Sequence, residues 1–483
     1  MNPQPAAPFT PRPGYPADSV ADEVKQAADG TKAKLAGRIV LWRPFGGLLF
    51  GHIQDRSGRV QISLRRDELG EDTFKDWINA VRVGDFIGVA GTRYTTNKGE
   101  PTLAVTEFEI LNKAVRPMPA KWSGISNPEV RYRRRYLDLL ANEESRERFR
   151  TRFRMISAIR RFLDGYDFLE VETPILQETA SGAAARPFVT RHHALDEDFY
   201  LRIAPETYLK RTVAGSFDRV YELGKNFRNE GMDPSHLQEF TMLEWYAGYW
   251  DYRDNMRVVR ELILTVMEEV LHTTKVSYQG VELDFGADWA EIDYRDAVLR
   301  RTGIDLTRVR DLPTLREHVT RAYPGSDLIA APSYAAMVDL LYKRTVRPGL
   351  IQPCFLLHHP VELVPLARRS DTDPTRLDMF QVVVNSWEIV KAYSELVDPV
   401  DQRGRLEEQM GMRDAGDDEA MMLEEDFIEA MEYGMPPMSG LGLGIDRLVA
   451  LMTDAPNLRD VVLFPQMRAT VPQEELPGET PSL

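Results

Sequence analysis

The segment from Val220 to Tyr246 most constrains how this chain can fold, because it contains two strand-like runs separated by a charged loop. Apolar and aromatic residues dominate residues 220–227 and 239–246, which predicts two strands of one hairpin. The loop would bring Arg228, Glu230 and His236 to one end of that hairpin, where charged side chains suit a polyanionic ligand. A solvated hairpin with ordinary surface charges is the alternative.

Five further strand-like runs, with one helical run after the third, lie near the N-terminus. The strands are predicted at residues 35–42, 47–54, 59–64, 85–94 and 102–111, and the helix at 67–80. This is the element order of an OB-fold barrel, which binds oligonucleotides on its strand face. A small barrel that does not bind oligonucleotides would have the same order of strands and helix. Phe50 could stack on an unpaired base, Gln61 could read a base edge, and Glu107 is a third candidate.

The composition limits the classes of protein to which this chain can belong. The 483 residues, 43% of them hydrophobic, suffice for two or three domains. No apolar run reaches the roughly 18 residues of a membrane helix, and no signal peptide is evident, so we expect a cytoplasmic protein without membrane contact. The single cysteine, Cys354, excludes an internal disulfide and a multi-cysteine zinc site. A net charge of -15 argues against indiscriminate nucleic-acid binding.

Glycines alternate in Gly440-Leu-Gly-Leu-Gly-Ile-Asp-Arg447. Glycine allows a ligand to approach the backbone closely. The run does not match the dinucleotide-binding fingerprint, because the position where that fingerprint requires its third glycine is occupied by Ile445. We therefore expect a strand that leads into a helix near residue 445, with a ligand other than a dinucleotide.

The run from Tyr221 to Glu244 resembles motif 2 of the class II aminoacyl-tRNA synthetases, in the form Phe-Arg-Asn-Glu-Gly, then His and Glu-Phe-Thr, that is typical of subclass IIb lysyl-tRNA synthetases. Residues 440–447 resemble motif 3, and residues 149–174 resemble motif 1, which builds a homodimer interface in this family. The N-terminal barrel is similar to the family's anticodon-binding barrel. The resemblance covers roughly residues 34–468.

The resemblance implies an α+β catalytic domain with an antiparallel sheet flanked by helices, preceded by an all-β OB-fold barrel. It implies ATP-dependent activation of L-lysine and its transfer to tRNA(Lys), with Mg²⁺ as cofactor. We expect a flexible arm at residues 1–30, the barrel at 31–116, a hinge at 117–140, the catalytic domain at 141–468 and a tail at 469–483.

The resemblance also assigns site residues. Activation brings a carboxylate to a phosphate, so arginines and a divalent cation must stabilise the negative charge. Arg228 and Arg447 are the expected catalytic residues. The ATP site is expected to comprise Arg228, Glu230, His236, Phe240, Glu388, Gly444 and Arg447. The lysine site is expected to comprise Gly182, Glu206, Arg228, Glu244, Tyr246, Lys391, Tyr393 and Glu395. The anticodon site is expected to comprise Phe50, Gln61 and Glu107.

The chain departs from the family pattern at the metal site. Family members usually have two glutamates seven residues apart that hold magnesium, followed by an asparagine, where this chain has Gln381, Glu388 and Lys391. The site therefore carries two more units of positive charge than the pattern. We expect Glu388 and Gln381 to be the metal ligands, with Gln381 the weaker one, and Lys391 to reach the substrate carboxylate or a phosphate.

Three other functions are weighed against this one. Aspartyl- or asparaginyl-tRNA synthetase has the same fold but would need a cation in the side-chain pocket, where Glu206, Glu244 and Glu395 are expected. A non-catalytic RNA-binding paralogue is favoured by Gln381 and Lys391 but not by the pair Arg228 and Arg447. A protein-modifying lysyl ligase generally lacks the barrel.

Overall fold

A computed structural model describes residues 9–116, 118, 125–414 and 419–468. Within these ranges the chain forms two compact units, one containing the residues up to 118 and the other the residues from 125 onward. Residues 1–8 of the predicted arm and the whole predicted tail at 469–483 lie outside the described residues. No helix in the described ranges is both long and apolar enough to cross a bilayer.

The first unit contains a closed five-stranded barrel. Its elements are α1 (Ala21–Gln26), β1 (Lys32–Phe45), β2 (Leu48–Gln54), β3 (Arg59–Arg65), α2 (Arg66–Leu69), α3 (Glu71–Ala80), β4 (Phe86–Thr95) and β5 (Pro101–Asn112). The strands follow the order β1-β2-β3-β5-β4 around the barrel. Alternate side chains, including Leu49, Ile53, Val60 and Ile62, fill its interior. The predicted OB-fold strand order is confirmed.

The prediction that residues 1–30 form a flexible arm is wrong for the segment around α1. Ala21 and Val24 are buried against the barrel core, and the Ala21 amide donates a hydrogen bond to Asp55 Oδ2 at 2.7 Å. The ring of Tyr15 packs where a side chain at Gly88 would stand. Six helical residues with two buried contacts are too few to produce a recognisable helical period.

The strands of the second unit begin with the motif 1 region and end at the glycine run. They are β6 (Leu169–Glu170), β7 (Leu176–Gln177), β8 (Phe188–His192), β9 (Glu197–Leu201), β10 (Arg219–Phe227), β11 (Glu239–Gly248), β12 (Lys275–Tyr278), β13 (Val281–Asp284), β14 (Ala290–Asp293), β15 (Cys354–Leu357), β16 (Met379–Val384), β17 (Trp387–Ser394) and β18 (Met438–Gly444). Eight of them form one sheet in the order β14-β15-β16-β17-β18-β11-β10-β6. The sheet is antiparallel except at its two edges, where β14 pairs with β15 and β10 with β6 in parallel.

Helices surround this sheet. They are α4 (Pro128–Arg133), α5 (Arg135–Ala141), α6 (Glu143–Gly165), α7 (Glu206–Ala214), α8 (Tyr252–Leu271), α9 (Tyr294–Thr302), α10 (Leu312–Ala322), α11 (Tyr334–Thr345), α12 (Pro399–Asp414), α13 (Glu425–Glu432) and α14 (Ile445–Met452). Helices α9 to α11 enclose a separate small core, which includes Cys354. The predicted α+β architecture is confirmed.

Residues 125–140 of the predicted hinge belong to the second unit, and residues 117 and 119–124 lie outside the described residues. Arg135 is fully buried there, and its guanidinium donates hydrogen bonds to the main-chain oxygens of Leu463 and Arg459 at 3.0 and 2.7 Å. It also forms an ion pair with Asp138 at 2.6 Å. These bonds tie α5 to the end of the domain, a long-range contact that a local run of charges does not reveal.

The two faces of the large sheet differ in chemistry. Because side chains alternate along a strand, Leu243 and Trp245 of β11 and Leu441 and Leu443 of β18 all point to the core packed by α6, α8 and α14. The residues between them point to the opposite face. That face carries the glycines and charged side chains expected of a binding site.

Candidate active site

A cleft of about 280 Å³ opens on the polar face of the sheet. Its walls come from the β10–β11 hairpin, from β17 and β18, from the start of α14 and from the loop at Gly182. The predicted ATP- and lysine-binding residues that line it are Gly182, Glu206, Arg228, Glu230, His236, Phe240, Glu244, Tyr246, Glu388, Lys391, Tyr393, Gly444 and Arg447. Glu395 and Gln381 are the predicted residues of this domain that do not line it.

The glycines of β18 form the floor of the cleft. Gly440 pairs with Tyr246 of β11 on one side and Tyr393 of β17 on the other, and Gly442 pairs in the same way with Glu244 and Lys391. A Cβ atom at Gly440 would overlap the Tyr246 ring. The central strand therefore lacks side chains where its neighbours supply them, which leaves a channel along the sheet.

At one end of the channel lies a buried ammonium that the sequence analysis missed. Lys210 Nζ lies 2.6 Å from Glu206 Oε1 and also forms an ion pair with Glu395. Tyr393 donates its hydroxyl to the same Glu206 oxygen at 2.7 Å. Burial lowers the pKa of Lys210, but the two carboxylates outweigh this effect and the net shift is upward. The i, i+4 spacing of Glu206 and Lys210 on α7 was the available signal.

Glu395 is the second carboxylate that pairs with Lys210. Its carboxylate forms an ion pair with Lys210, and its Oε1 atom lies 2.5 Å from where a Cβ atom at Gly440 would stand, close to the floor of the cleft. Burial raises the pKa of Glu395 to about 8, and the Lys210 charge opposes the rise.

Glu244 is the carboxylate that faces the cleft without a partner. Its side chain is buried, and within the described part of the chain it has no hydrogen bond or ion pair. Burial raises its pKa to about 8, the charge of Glu206 raises it further, and Arg228 opposes the rise. A buried carboxylate without a cation is unfavourable, so this position is suited to a cationic ligand.

The hairpin loop holds Arg228 at the mouth of the cleft. The guanidinium of Arg228 lies over the Phe240 ring at 5.1 Å, and its Nε is buried without a partner. The Gln238 side-chain amide donates to the main-chain oxygen of Gly231 at 2.9 Å, which ties the loop to its own strand. His236 Nδ1 lies 2.7 Å from Asp233 Oδ2. The loop thus presents an unsatisfied guanidinium donor to the cleft.

A second arginine enters from the first turn of α14. Arg447 Nη1 donates to the main-chain oxygen of Glu388 at 2.8 Å. The neighbouring Asp446 fixes this turn, because it accepts hydrogen bonds from Arg152 Nη1 at 2.6 Å and from the Thr241 amide at 2.8 Å. Burial lowers the pKa of Arg447 and Glu388 opposes the shift. Two guanidinium groups therefore converge on one side of the channel.

The predicted metal site departs from expectation. Gln381 Nε2 donates to Glu388 Oε2 at 2.7 Å, while Gln381 Oε1 is buried. Within the described residues no group of three or more His, Cys, Asp or Glu side chains converges. Magnesium is often held by one or two carboxylates together with substrate phosphates. Glu388 fits such a role, whereas the buried Gln381 oxygen does not.

In the barrel, the three predicted anticodon residues share the outer face. Phe50 and His52 lie on one side of β2, and His52 pairs with Gln61, whose Nε2 donates to Thr102 Oγ1 at 2.7 Å. Across β4 and β5 the register shifts at Ala90, so Glu107 turns to the same face. The barrel thus presents an aromatic, an amide and a carboxylate on one surface.

The comparisons with known proteins agree with this geometry. Residues 127–468 match the model of the tRNA synthetases class II (D, K and N), and residues 33–111 match that of the OB-fold nucleic acid binding domain. A lysine--tRNA ligase of Pelotomaculum thermopropionicum is 47% identical over 90% of this chain and 86% of its own length. Lysine--tRNA ligases of Aquifex aeolicus and Carboxydothermus hydrogenoformans are each 45% identical, over 92% and 94% of this chain and 74% and 92% of their own lengths.

Proposed function

Because the chain belongs to the class II tRNA synthetases of the D, K and N group, we propose that it is a lysine--tRNA ligase. It joins L-lysine to ATP as lysyl-adenylate with release of pyrophosphate. The lysyl group then passes to a terminal hydroxyl of tRNA(Lys), and AMP leaves. Its relatives named lysine--tRNA ligase span most of its length.

The single observation that carries the choice of lysine is the unpaired Glu244 carboxylate at the end of the channel. The charge of Glu206 lies beside it, and Lys210 neutralises only part of the local negative charge. A substrate ε-ammonium would complete the pairing, whereas an aspartate side chain would add another negative charge to a buried site. Tyr246 and Tyr393 would pack on the aliphatic stem.

The arginines account for the chemistry. Arg228 would bind the substrate carboxylate and the α-phosphate together, since a planar guanidinium can contact two oxygens at once. Arg447 would contact the terminal phosphates, and Phe240 would stack on adenine. Glu230 and His236 border the same end of the cleft. These groups hold the attacking carboxylate oxygen against phosphorus and stabilise the charge that develops there.

Magnesium is the proposed cofactor, and Glu388 is the residue that would hold it together with the phosphates of ATP. When bound, the ion would neutralise and orient those phosphates. Because the Gln381 oxygen is buried, we assign the metal contact to Glu388 alone.

The barrel would bind the anticodon through Phe50, Gln61 and Glu107. A synthetase acts where translation occurs, which agrees with the cytoplasmic location that the sequence predicts.

We also propose a homodimer. Leu169 lies on β6, an edge strand of the large sheet, and both Leu169 and Leu176 are 51% exposed. Exposed apolar side chains at a sheet edge favour association with a second chain.

ATP–pyrophosphate exchange with each of the twenty amino acids tests the proposed reaction. Lysine alone is expected to support exchange. Exchange with aspartate or asparagine would identify the related synthetases instead, and exchange with no amino acid would identify a non-catalytic paralogue. Charging of a tRNA(Lys) transcript with labelled lysine then tests the second step.

A further inference from the structure

Lys391 occupies a central place in the cleft. In the row of paired residues that crosses the sheet, Glu244 of β11 is followed by Gly442 of β18, Lys391 of β17 and Gln381 of β16. Neighbouring strands lie roughly 4.8 Å apart, and all four positions face the polar side. Lys391 therefore stands between the Glu244 pocket and the Glu388 side of the channel, where the carboxylate of an amino acid would meet the α-phosphate.

The Lys391 ammonium lacks an internal counterion. It lines the cleft and, among the described residues, it has no hydrogen bond or ion pair. Its neighbour His359 is buried, and burial lowers the pKa of His359 to about 3, with the Lys391 charge acting in the same direction and a hydrogen bond with Gln381 opposing the shift. Gln381, its cross-strand partner, is uncharged, and the nearby Glu388 carboxylate accepts a hydrogen bond from Gln381, so the Lys391 charge remains available to a ligand.

Gln381 explains why a cationic side chain suits this position. Its amide nitrogen occupies one oxygen of Glu388, and its own oxygen is buried away from the cleft. The chain therefore offers one partly engaged carboxylate where the family pattern has two. The positive charge at this point of the channel comes from Lys391.

We infer that Lys391 is a catalytic residue whose ammonium binds the anionic oxygens at the junction of the amino-acid carboxylate and the α-phosphate, and that it replaces a divalent cation there. Gln381 is a positioning residue, because it acts through Glu388. The inference rests on the proposed function, since it takes the two reacting anions from that reaction. No bond to Lys391 forms or breaks, because its role is electrostatic.

Calorimetry on Lys391→Met tests the contact directly. If the ammonium binds the carboxylate, the variant should bind lysine about tenfold more weakly, a loss of about one charge-assisted hydrogen bond, while lysinol, which lacks the carboxylate, binds as it does to the wild type. If it binds the α-phosphate, the affinity for a non-hydrolysable ATP analogue should fall instead. Equal affinities of variant and wild type for lysine and for the analogue would overturn the inference.

Kinetics separate a catalytic role from a structural one. Removal of one preorganised charge should lower kcat of pyrophosphate exchange by about 100-fold, and Lys391→Arg should retain more activity than Lys391→Met because it keeps the charge. Lys343→Met removes a surface lysine paired with Asp339 and serves as the control, with kcat unchanged. If wild type shows no lysine-dependent exchange, the proposed function fails; equal exchange by wild type and Lys391→Met overturns this inference alone.

The number of bound metal ions tests whether Lys391 replaces a divalent cation. Titration of free Mn²⁺ by electron paramagnetic resonance, in the presence of the ATP analogue and lysine, gives the number of ions bound per chain. The double variant Gln381→Glu, Lys391→Asn should bind one more ion than the wild type, because it restores a carboxylate and removes the competing charge. Equal numbers of ions in the two proteins would contradict the replacement.

Discussion

At the scale of single residues, function depends on which buried charges already have partners. Glu206 and Glu395 share the internal ammonium of Lys210, and Glu244 does not. Burying an unpaired carboxylate costs free energy that a bound ammonium would recover. The selectivity of the pocket is therefore expected to depend on Glu244 more than on the other two glutamates.

Glu244→Gln should lower kcat/KM for lysine by about 100-fold, since one partner of a buried charge pair is lost, while the KM for ATP stays near the wild-type value. Glu239→Gln, on the same strand but outside the cleft, is the matched control. The measurement is pyrophosphate exchange at varied lysine and ATP. A similar loss in both variants would show that the effect is not specific to the pocket.

The lysine KM should depend on pH through the same residue. Because burial raises the pKa of Glu244 to about 8, the carboxyl is mostly neutral at lower pH and becomes ionised as pH rises through 8. An ammonium binds the ionised form, so the lysine KM should fall about 25-fold from pH 6.5 to 8.5. The ATP KM serves as the reference. A constant lysine KM over this range would contradict the assignment.

At the scale of elements, the cleft depends on β18 lacking side chains on one face. A methyl group at position 440 would overlap the Tyr246 ring and lie 2.5 Å from Glu395 Oε1. Both neighbours are buried, so neither can move without disturbing the pocket. The glycines therefore shape the floor of the cleft.

Gly440→Ala should raise the lysine KM at least tenfold and destabilise the domain by about 1–3 kcal/mol through overpacking. Gly404→Ala is the control, because nothing lies within 4 Å of a Cβ at this position of α12. Thermal denaturation measures the stability and pyrophosphate exchange measures the KM. An unchanged lysine KM in Gly440→Ala would show that the floor of the cleft tolerates a side chain.

Strands and helices with a clear periodic pattern could be predicted from the sequence, whereas contacts between distant segments could not. The hairpin β10–β11 follows from periodicity, and the register of Glu222 with Glu244 agrees with the predicted hairpin. The ion pair of Lys210 with Glu395 and the docking of α1 on the barrel join side chains that are far apart in sequence. Such contacts leave no local pattern.

At the scale of the whole molecule, the proposed function assigns different steps of the reaction to the two units. The barrel would affect recognition of tRNA, whereas the larger domain contains the groups for adenylate formation. This division predicts that substitutions on the outer face of the barrel leave the first step intact.

Phe50→Ala should raise the KM for tRNA(Lys) by about 10- to 100-fold, the loss of one base–aromatic stack, with pyrophosphate exchange unchanged. Phe86→Ala, on another strand of the barrel, is the control and should charge tRNA normally. Aminoacylation at varied tRNA gives the KM. If Phe50→Ala and wild type share the same tRNA KM, base stacking on this residue is refuted.

The proposed dimer can be tested through its exposed apolar edge. Light scattering after size exclusion should give twice the mass of one chain for the wild type, and the mass of one chain for the double variant Leu169→Asp, Leu176→Asp, because buried charge disfavours the interface. Val400→Asp, at a side chain that is also exposed, should remain dimeric. If the wild-type protein is a monomer, the proposed dimer is wrong.

The central claim is that Glu244 receives the substrate's ε-ammonium while the arginines hold its carboxylate and the nucleotide. A crystal structure with lysine and a non-hydrolysable ATP analogue tests it most directly. The predicted result places the ligand ammonium roughly 3 Å from a Glu244 oxygen and its carboxylate beside Arg228. A ligand ammonium bound elsewhere, with Glu244 paired to a side chain of the protein, would contradict the account.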